Sequence, residues 1–314
     1  MTGALSIATR GIGTTGLNPS VGCIIVKDDR IIGRGWTQAG GRPHAEAMAI
    51  QTAANADISG ATIYVTLEPC AHISERGPCC ADLVIAAGPL RVVIAMPDPD
   101  PRTSGRGIAR LRAAGIDVEV GILADAAREQ LAGYLTRITL NRPLVTLKLA
   151  TSLDGCIAMA DGSSRWITSA AARAHSHVVR AGCDAIVVGG GTLRADAPTL
   201  DVRLAGLEDR APRRVVLSRG TAPDGWDAIE TPEAISTLNC NHVLVEGGAQ
   251  TAAAFLHANL VDRLLLYRAP ILLGSGNLCL SDFGLTQLDA AHGKWRLADA
   301  RQFGQDRMEI YYKH

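Results

Sequence analysis

Short apolar runs rich in β-branched residues recur along this chain, and between them lie stretches whose apolar residues fall three and four apart. The first spacing reads as buried strands and the second as amphipathic helices. Residues 4 to 10 suit a short helix, and the glycine-rich "GIGTTGLNPSVG" after it suits a loop. "VGCIIVKDDRIIGRGW" predicts two strands hinged at the polar turn Lys27-Asp28-Asp29-Arg30. "HAEAMAIQTAANA" predicts a helix, and "ATIYVTLEP" a strand ended by Pro69. "PCCADLVIAAG" predicts a helix with Pro78 at its start and Gly88 past its end. "RVVIAMPDPDP" reads as a strand, and "GIARLRAAGIDVEVGI" as a helix, a glycine stop and a strand. A helical stretch over residues 124 to 140 stops at Asn141-Arg142-Pro143, which marks the best domain boundary. Beyond it, strands are expected near "PLVTLKLA", "CDAIVVGG", "RRVVLS", "NHVLVEGG" and "DRLLLYRAP", with helices at residues 168 to 181 and 250 to 259. Alternating helices and strands make both halves, residues 1–141 and 144–314, α/β layered domains.

Composition narrows the function. With 314 residues the chain is long for one core, so two domains are expected. Its 31 basic and 31 acidic residues balance, which offers no broad field to a phosphate polymer or an anionic membrane. No apolar run reaches the length of a membrane span, and no leader pattern opens the chain, so a cytoplasmic location and a small-molecule partner are expected. Eight cysteines in such a chain are judged first as metal ligands or nucleophiles.

The chemistry concentrates in "RPHAEAMAI" and "TLEPCAHISERGPCC". His44 and Glu46 stand two apart, and side chains at that spacing face one centre only where a helix is starting. Pro43 suits a first helical turn. Cys70 follows a strand end, and Cys79 and Cys80 open a helix, where backbone N–H groups favour thiolates. Thiolates with a neutral imidazole suit zinc; three protein ligands leave a position for water, and a carboxylate that is not a ligand can shuttle its proton. The spacing is also compatible with a closed zinc site of His44 or His72 with Cys70, Cys79 and Cys80 that catalyses nothing. In the second half, "CDAIVVGGGTLRADAPTLDVR" and "HVLVEGGAQTAAAFL" each run a strand into glycines, a turn that lets phosphate approach backbone N–H groups; tight packing is the alternative.

Taken with "NPSVGCIIV", "PHAEAMAI", "YVTLEPCAH", "GPCCAD" and "RVVIAMPDPDP", the chain resembles the bifunctional deaminase-reductases of riboflavin biosynthesis along its whole length. That resemblance implies a cytidine-deaminase-like α/β/α sandwich followed by a dihydrofolate-reductase-like α/β domain. It implies zinc held by His44, Cys70 and Cys79, leaving Cys80 as a spare thiol, with Glu46 as proton shuttle and Asn18 near the substrate. In the reductase half it implies NADPH near Ala150, Trp166, Thr192, Asp196 and Ser218, and along the turn Gly248, Ala249, Gln250, Thr251, Ala252, Ala253 and Ala254. Ser164, Arg180, Leu200, Arg203 and Glu246 would contact the substrate, and Asp196, Lys148 and Glu246 are the candidates for proton handling. The family's reactions are hydrolytic deamination of 2,5-diamino-6-(5-phosphoribosylamino)pyrimidin-4-one, then reduction of the ribosyl product to the ribityl form, in a homo-oligomer. Residues 73 to 77, Leu17, Cys156 and Ala197 depart from the family's commoner pattern. Two other readings are a zinc deaminase of nucleic-acid bases with a targeting second half, and a zinc-stabilised nucleotide sensor.

Overall fold

A computed structural model describes residues 1–54, 56–72 and 77–314, so most of the departure at 73 to 77 lies outside the described residues. The chain divides into two compact units, Met1–Asn141 and Arg142–His314.

The first unit runs α1 (Thr2–Ala8), β1 (Gly22–Lys27), β2 (Arg30–Trp36), α2 (Ala45–Ala53), β3 (Thr62–Val65), α3 (Cys80–Ala87), β4 (Arg91–Ile94), α4 (Arg106–Ala113), β5 (Asp117–Val120), α5 (Ala124–Gln130) and α6 (Ala132–Leu140). Its sheet has the order β2-β1-β3-β4-β5, antiparallel through the β1–β2 hairpin and β1–β3, then parallel. The expected hairpin is present, turning at Asp28 and Asp29, both with positive φ. Two glycines show how the layers close. A Cβ on Gly22 would stand 2.0 Å from the Ala4 carbonyl oxygen of α1, and one on Gly35 would stand 2.1 Å from the Ala45 oxygen of α2. Gly22 pairs with Trp36 whereas Gly35 pairs with Cys23, so the two glycines face opposite sides of the sheet and a helix lies against each. On the Gly35 face, beneath α2, the core gathers Ile25, Ile63, Val65 and Ile94 with Leu111 of α4, all buried. The stretch 124–140 is two helices, parted where Leu131 leaves helical geometry.

The second unit runs β6 (Leu144–Thr151), β7 (Cys156–Ala158), α7 (Ala170–Ala181), β8 (Ala185–Gly189), α8 (Gly190–Asp196), β9 (Arg213–Leu217), β10 (Asp227–Ile229), β11 (His242–Val245), α9 (Ala249–His257), β12 (Arg263–Arg268), β13 (Asn277–Leu278), β14 (Trp295–Phe303) and β15 (Asp306–Lys313). The eight-stranded sheet has the order β10-β9-β8-β11-β6-β12-β15-β14, parallel from β10 to β12 and antiparallel over the last three. β8 is buried at every position, as a central parallel strand covered on both faces must be. From β8 the chain moves outward to β9, whereas from β11 it crosses β6 to reach β12. Their following turns therefore part from each other, leaving a crevice at the carboxyl ends of two neighbouring strands.

Candidate active sites

α2 begins two residues later than a proline-led first turn requires, at Ala45. His44 is its N-cap, in extended conformation with φ −73° and ψ 164°, and Pro43 lies before the cap behind a cis peptide bond. The consequence is the expected one: His44 is still outside the helix while Glu46 is in its first turn, and both line one cavity of about 350 Å³. Gly35, by admitting the α2 backbone so closely, holds that first turn against the sheet.

His44, Cys70 and Cys80 meet there, with their donor atoms all within 4.8 Å of one another. His44 Nδ1 is 3.2 Å from Cys80 Sγ and 3.6 Å from Cys70 Sγ, and the Cys80 N–H donates to Cys70 Sγ at 3.3 Å. This corrects the expectation for Cys79, which turns away: its thiol donates to Asp82 Oδ2 at 3.0 Å, and Arg110 Nη1 donates to its sulfur at 3.3 Å. The reason is the register of α3. Cys79 is the N-cap, whereas Cys80, Ala81 and Val84 form the buried face of the helix, so the second thiol of the pair points inward. The segment from Cys70 to the inward cysteine holds nine residues, Ala71 to Cys79, rather than eight.

The thiols share their protons unequally. The Cys80 S–H, with the His44 ring and the Cys80 N–H, stabilises a Cys70 thiolate against the cost of burial, and the Cys80 thiol is pushed up in turn. Burial also lifts the Glu46 carboxyl to about 7, against the opposing pull of the His44 ring. Glu46 is 4% exposed, a buried carboxyl balanced near neutrality, as proton transfer in both directions requires. Two thiols and an imidazole are a soft donor set suited to zinc, and the cavity leaves space on the open side.

Asn18 lines the cavity, seated against Gly41, and its Nδ2 donates to the Thr15 carbonyl at 3.1 Å. Glu68, Asp98 and Asp100, also on the wall, were not singled out from sequence. Glu68 accepts from the N–H groups of Gly105 and Ile108, each at 3.1 Å, which ties the chain after β3 to the start of α4. Asp98 accepts from the Tyr134 hydroxyl at 2.9 Å, and Asp100 holds Arg102 through Nε at 3.0 Å. The signal for these acids was "MPDPDP", a strand end followed by two carboxylates.

In the second unit the crevice between the β8 and β11 turns is a cavity of about 720 Å³. Gly189 to Thr192 form one wall, and Gly248, Ala249, Gln250 and Thr251 another. Ser218 stands at the crevice edge, where a Cβ on Gly190 would lie 3.4 Å from its Oγ. Ala252 and Ala253 are corrected: α9 turns them inward, fully or nearly buried, with Ala252 in the hydrophobic core, and Ala254 is likewise not on the cavity wall. Asp196 is exposed at the end of α8 and lines neither this cavity nor the next. The wall also includes Gly276, Asn277 and Ser281, for which the only advance signal was the Gly-Ser-Gly turn after the "RAP" strand end.

Ala150 and Trp166 line a second cavity, of about 220 Å³, with Lys148, Arg180 and Arg203. Two residues expected near the cofactor thus stand with those expected at the substrate. Glu246, just past β11, anchors this site: Arg180 donates Nε to its Oε1 and Nη2 to its Oε2, both at 2.9 Å, and Lys148 Nζ lies 3.6 Å from Oε2. Burial alone would raise the Glu246 carboxyl, but the Lys148 charge and the Arg180 fork outweigh it and hold the group at about 2. Leu200 is buried against Ile186, Val188 and Leu244 and supports the wall from beneath, while Ser164 is half-buried and lines neither cavity. His177 and Tyr267, which sequence reasoning passed over, also line the smaller cavity.

Comparison with known proteins places both units. Residues 143–308 match the family model described as "RibD C-terminal domain", and residues 1–96 match "Cytidine and deoxycytidylate deaminase zinc-binding region". The chain is 40% identical to the riboflavin biosynthesis protein RibD of Escherichia coli (strain K12), covering 96% of this chain and 93% of that protein. It is 40% identical to RibD of Mycobacterium tuberculosis (strain ATCC 25618 / H37Rv) over 94% of this chain and 91% of that one. Among solved structures, Acinetobacter baumannii RibD superposes with a TM-score of 0.90 at 36% identity, covering 100% of this chain and 98% of that one. A Thermotoga maritima diaminohydroxyphosphoribosylaminopyrimidine deaminase/5-amino-6-(5-phosphoribosylamino)uracil reductase superposes with a TM-score of 0.91 at 31% identity, covering 100% and 97%.

Proposed function

The chain belongs to the RibD family of bifunctional riboflavin-biosynthesis enzymes, with a zinc-dependent deaminase half and an NADPH-dependent reductase half, and from that premise we propose which residues carry each reaction. The first reaction exchanges a ring amine of 2,5-diamino-6-(5-phosphoribosylamino)pyrimidin-4-one for oxygen, with water entering and ammonia leaving. His44, Cys70 and Cys80 hold the zinc, and Asn18 meets the pyrimidine. Zinc bound there supplies water acidified to a pKa near 7. Glu46 takes up the proton that the water loses and delivers it to the departing amine; its buried carboxyl, balanced near neutrality, can do both. The observation that carries this reading is the convergence of one imidazole, two thiols and the buried Glu46 on one cavity.

In the reductase half the larger cavity takes NADPH, with the cofactor's phosphates against the Gly189–Thr192 and Gly248–Thr251 turns. NADPH bound there supplies the hydride. The smaller cavity takes the ribosyl phosphate, with Arg180 and Arg203 as its cationic contacts. Opening the ribose to the ribityl chain requires a proton on the ring oxygen as hydride reaches the anomeric carbon. Lys148 lines the cavity with its Nζ 3.6 Å from Glu246 Oε2, whereas Asp196 is exposed and lines neither cavity, so Lys148 ranks above Asp196 as the donor.

Neutral net charge supports small-molecule substrates over nucleic acid, and none of the described helices is long and apolar enough to cross a membrane. A cytoplasmic homo-oligomer completes the reading. Its test is NADPH oxidation by zinc-replete protein given only the diaminopyrimidinone ribosyl phosphate. Oxidation is expected in the wild type, lost in Glu46→Ala and restored in that variant by the deaminated intermediate. Ammonia release with no NADPH consumption overturns the reductase assignment.

A further inference from the structure

The substrate carries a phosphate, so the deaminase cavity needs a cation to meet it, and the cations on its wall differ in how far they are already committed. Arg102 is held by Asp100 through its backbone N–H and its Nε, at 2.9 and 3.0 Å. Arg137 donates Nη2 to the Leu17 carbonyl at 2.7 Å and stacks over Tyr134, with its guanidinium carbon 5.7 Å from the ring centroid. His72 is turned to the Thr103 hydroxyl at 3.4 Å. Arg42 lines the same cavity, two residues before His44, and its guanidinium makes no ion pair among the described residues. Its one hydrogen bond there is a long contact, 3.5 Å from Nη1 to the Pro78 carbonyl oxygen. Gly77 clears the space around it: a Cβ at that residue, whose φ of +136° already disfavours other side chains, would stand 3.2 Å from Arg42 Nη1.

We propose that Arg42 is the phosphate-recognising residue of the deaminase site, gripping the 5-phosphate of the substrate in the cavity that Arg42 lines together with His44 and Cys70. The proposal rests on the deaminase reading above. A guanidinium fork matches two phosphate oxygens, and a half-buried one forms that contact without first breaking an ion pair to any of the described residues. Arg42 acts on binding and not on the reacting carbon, so its effect falls on KM.

The test compares ammonia release from the ribosyl phosphate substrate and from the same compound with its phosphate removed, in wild type, Arg42→Ala and Arg42→Lys. Arg42→Ala is expected to raise KM for the phosphorylated substrate by about ten- to a hundred-fold, the range of a charge-assisted contact. Its kcat, its zinc content and its KM for the dephosphorylated compound should stay at the wild-type values, and Arg42→Lys should recover part of the loss. Inorganic phosphate should compete with substrate in the wild type and no longer do so in Arg42→Ala. Equal KM changes for both substrates, or loss of zinc in Arg42→Ala, overturn the proposal in favour of a structural role beside His44. Absence of ammonia release by the wild type from either compound overturns the deaminase reading itself, and this proposal with it.

Discussion

The adjacent thiols Cys79 and Cys80 offer the sharpest test of the metal site, because register alone separates them. Cys80 is 1% exposed, 3.2 Å from the His44 ring, and supplies the third donor of the cluster. Zinc sites with four protein ligands bind with about 10–16 kcal/mol, or about 3–4 kcal/mol per ligand if shared evenly. Cys80→Ala should therefore weaken zinc binding by about two to three powers of ten. Cys79 makes a thiol hydrogen bond to Asp82 and receives one from Arg110, so Cys79→Ala should cost about 1–2 kcal/mol of stability and leave the metal in place. Competition against a chromogenic chelator gives the zinc affinities, and thermal denaturation of the zinc-loaded proteins gives the stabilities. Zinc retained by Cys80→Ala and lost by Cys79→Ala would refute the α3 register and restore the eight-residue gap.

Two further outcomes follow from the second unit. Glu246 has a folded pKa of about 2 against an ordinary 4.5, so it stabilises the fold fully above pH 4.5 and loses that contribution as pH falls towards 2. The shift corresponds to about 3 kcal/mol, and urea unfolding followed from pH 5 to pH 2 should show a flatter decline for Glu246→Gln than for the wild type; parallel curves would sink the assignment. Gly191 has open space where a side chain would go, so Gly191→Asp should fold normally while its charge repels the cofactor phosphates. NADPH binding read by fluorescence should weaken by about ten- to a hundred-fold, and an unchanged Kd would move the cofactor out of the β8–β11 crevice.

Much of this was legible in residue order, and what was not has identifiable causes. The β1–β2 hairpin, α2 and the parallel strands β6, β8, β9, β11 and β12 carry their own apolar periodicity, so local pattern sufficed. The β14–β15 hairpin was missed because β14, at the sheet edge, is exposed at most positions and shows no alternating apolar face. Cys79 was preferred to Cys80 through the family resemblance, which carries the ligand over by its place after the eight residues that follow Cys70. Counting back from the Gly88 cap along the buried positions Val84, Ala81 and Cys80 finds the inward thiol, because a helix preserves register and a connecting segment does not. The split of Ala150 and Trp166 from the glycine-lined cavity was unreadable, since it depends on which strand ends lie side by side. Only tertiary structure sets that order.

Placing the third donor at the start of a helix also separates metal binding from the length of the preceding segment. α3 is fixed by its own packing, so the distance from Cys80 to Cys70 does not depend on how many residues connect them. Lengthening that connection from eight residues to nine raises its closure cost by only about 0.1 kcal/mol. A one-residue change in the length of that connection is therefore nearly free for the donor cluster. The segment can change in length while the donor cluster stays where α2 and α3 put it.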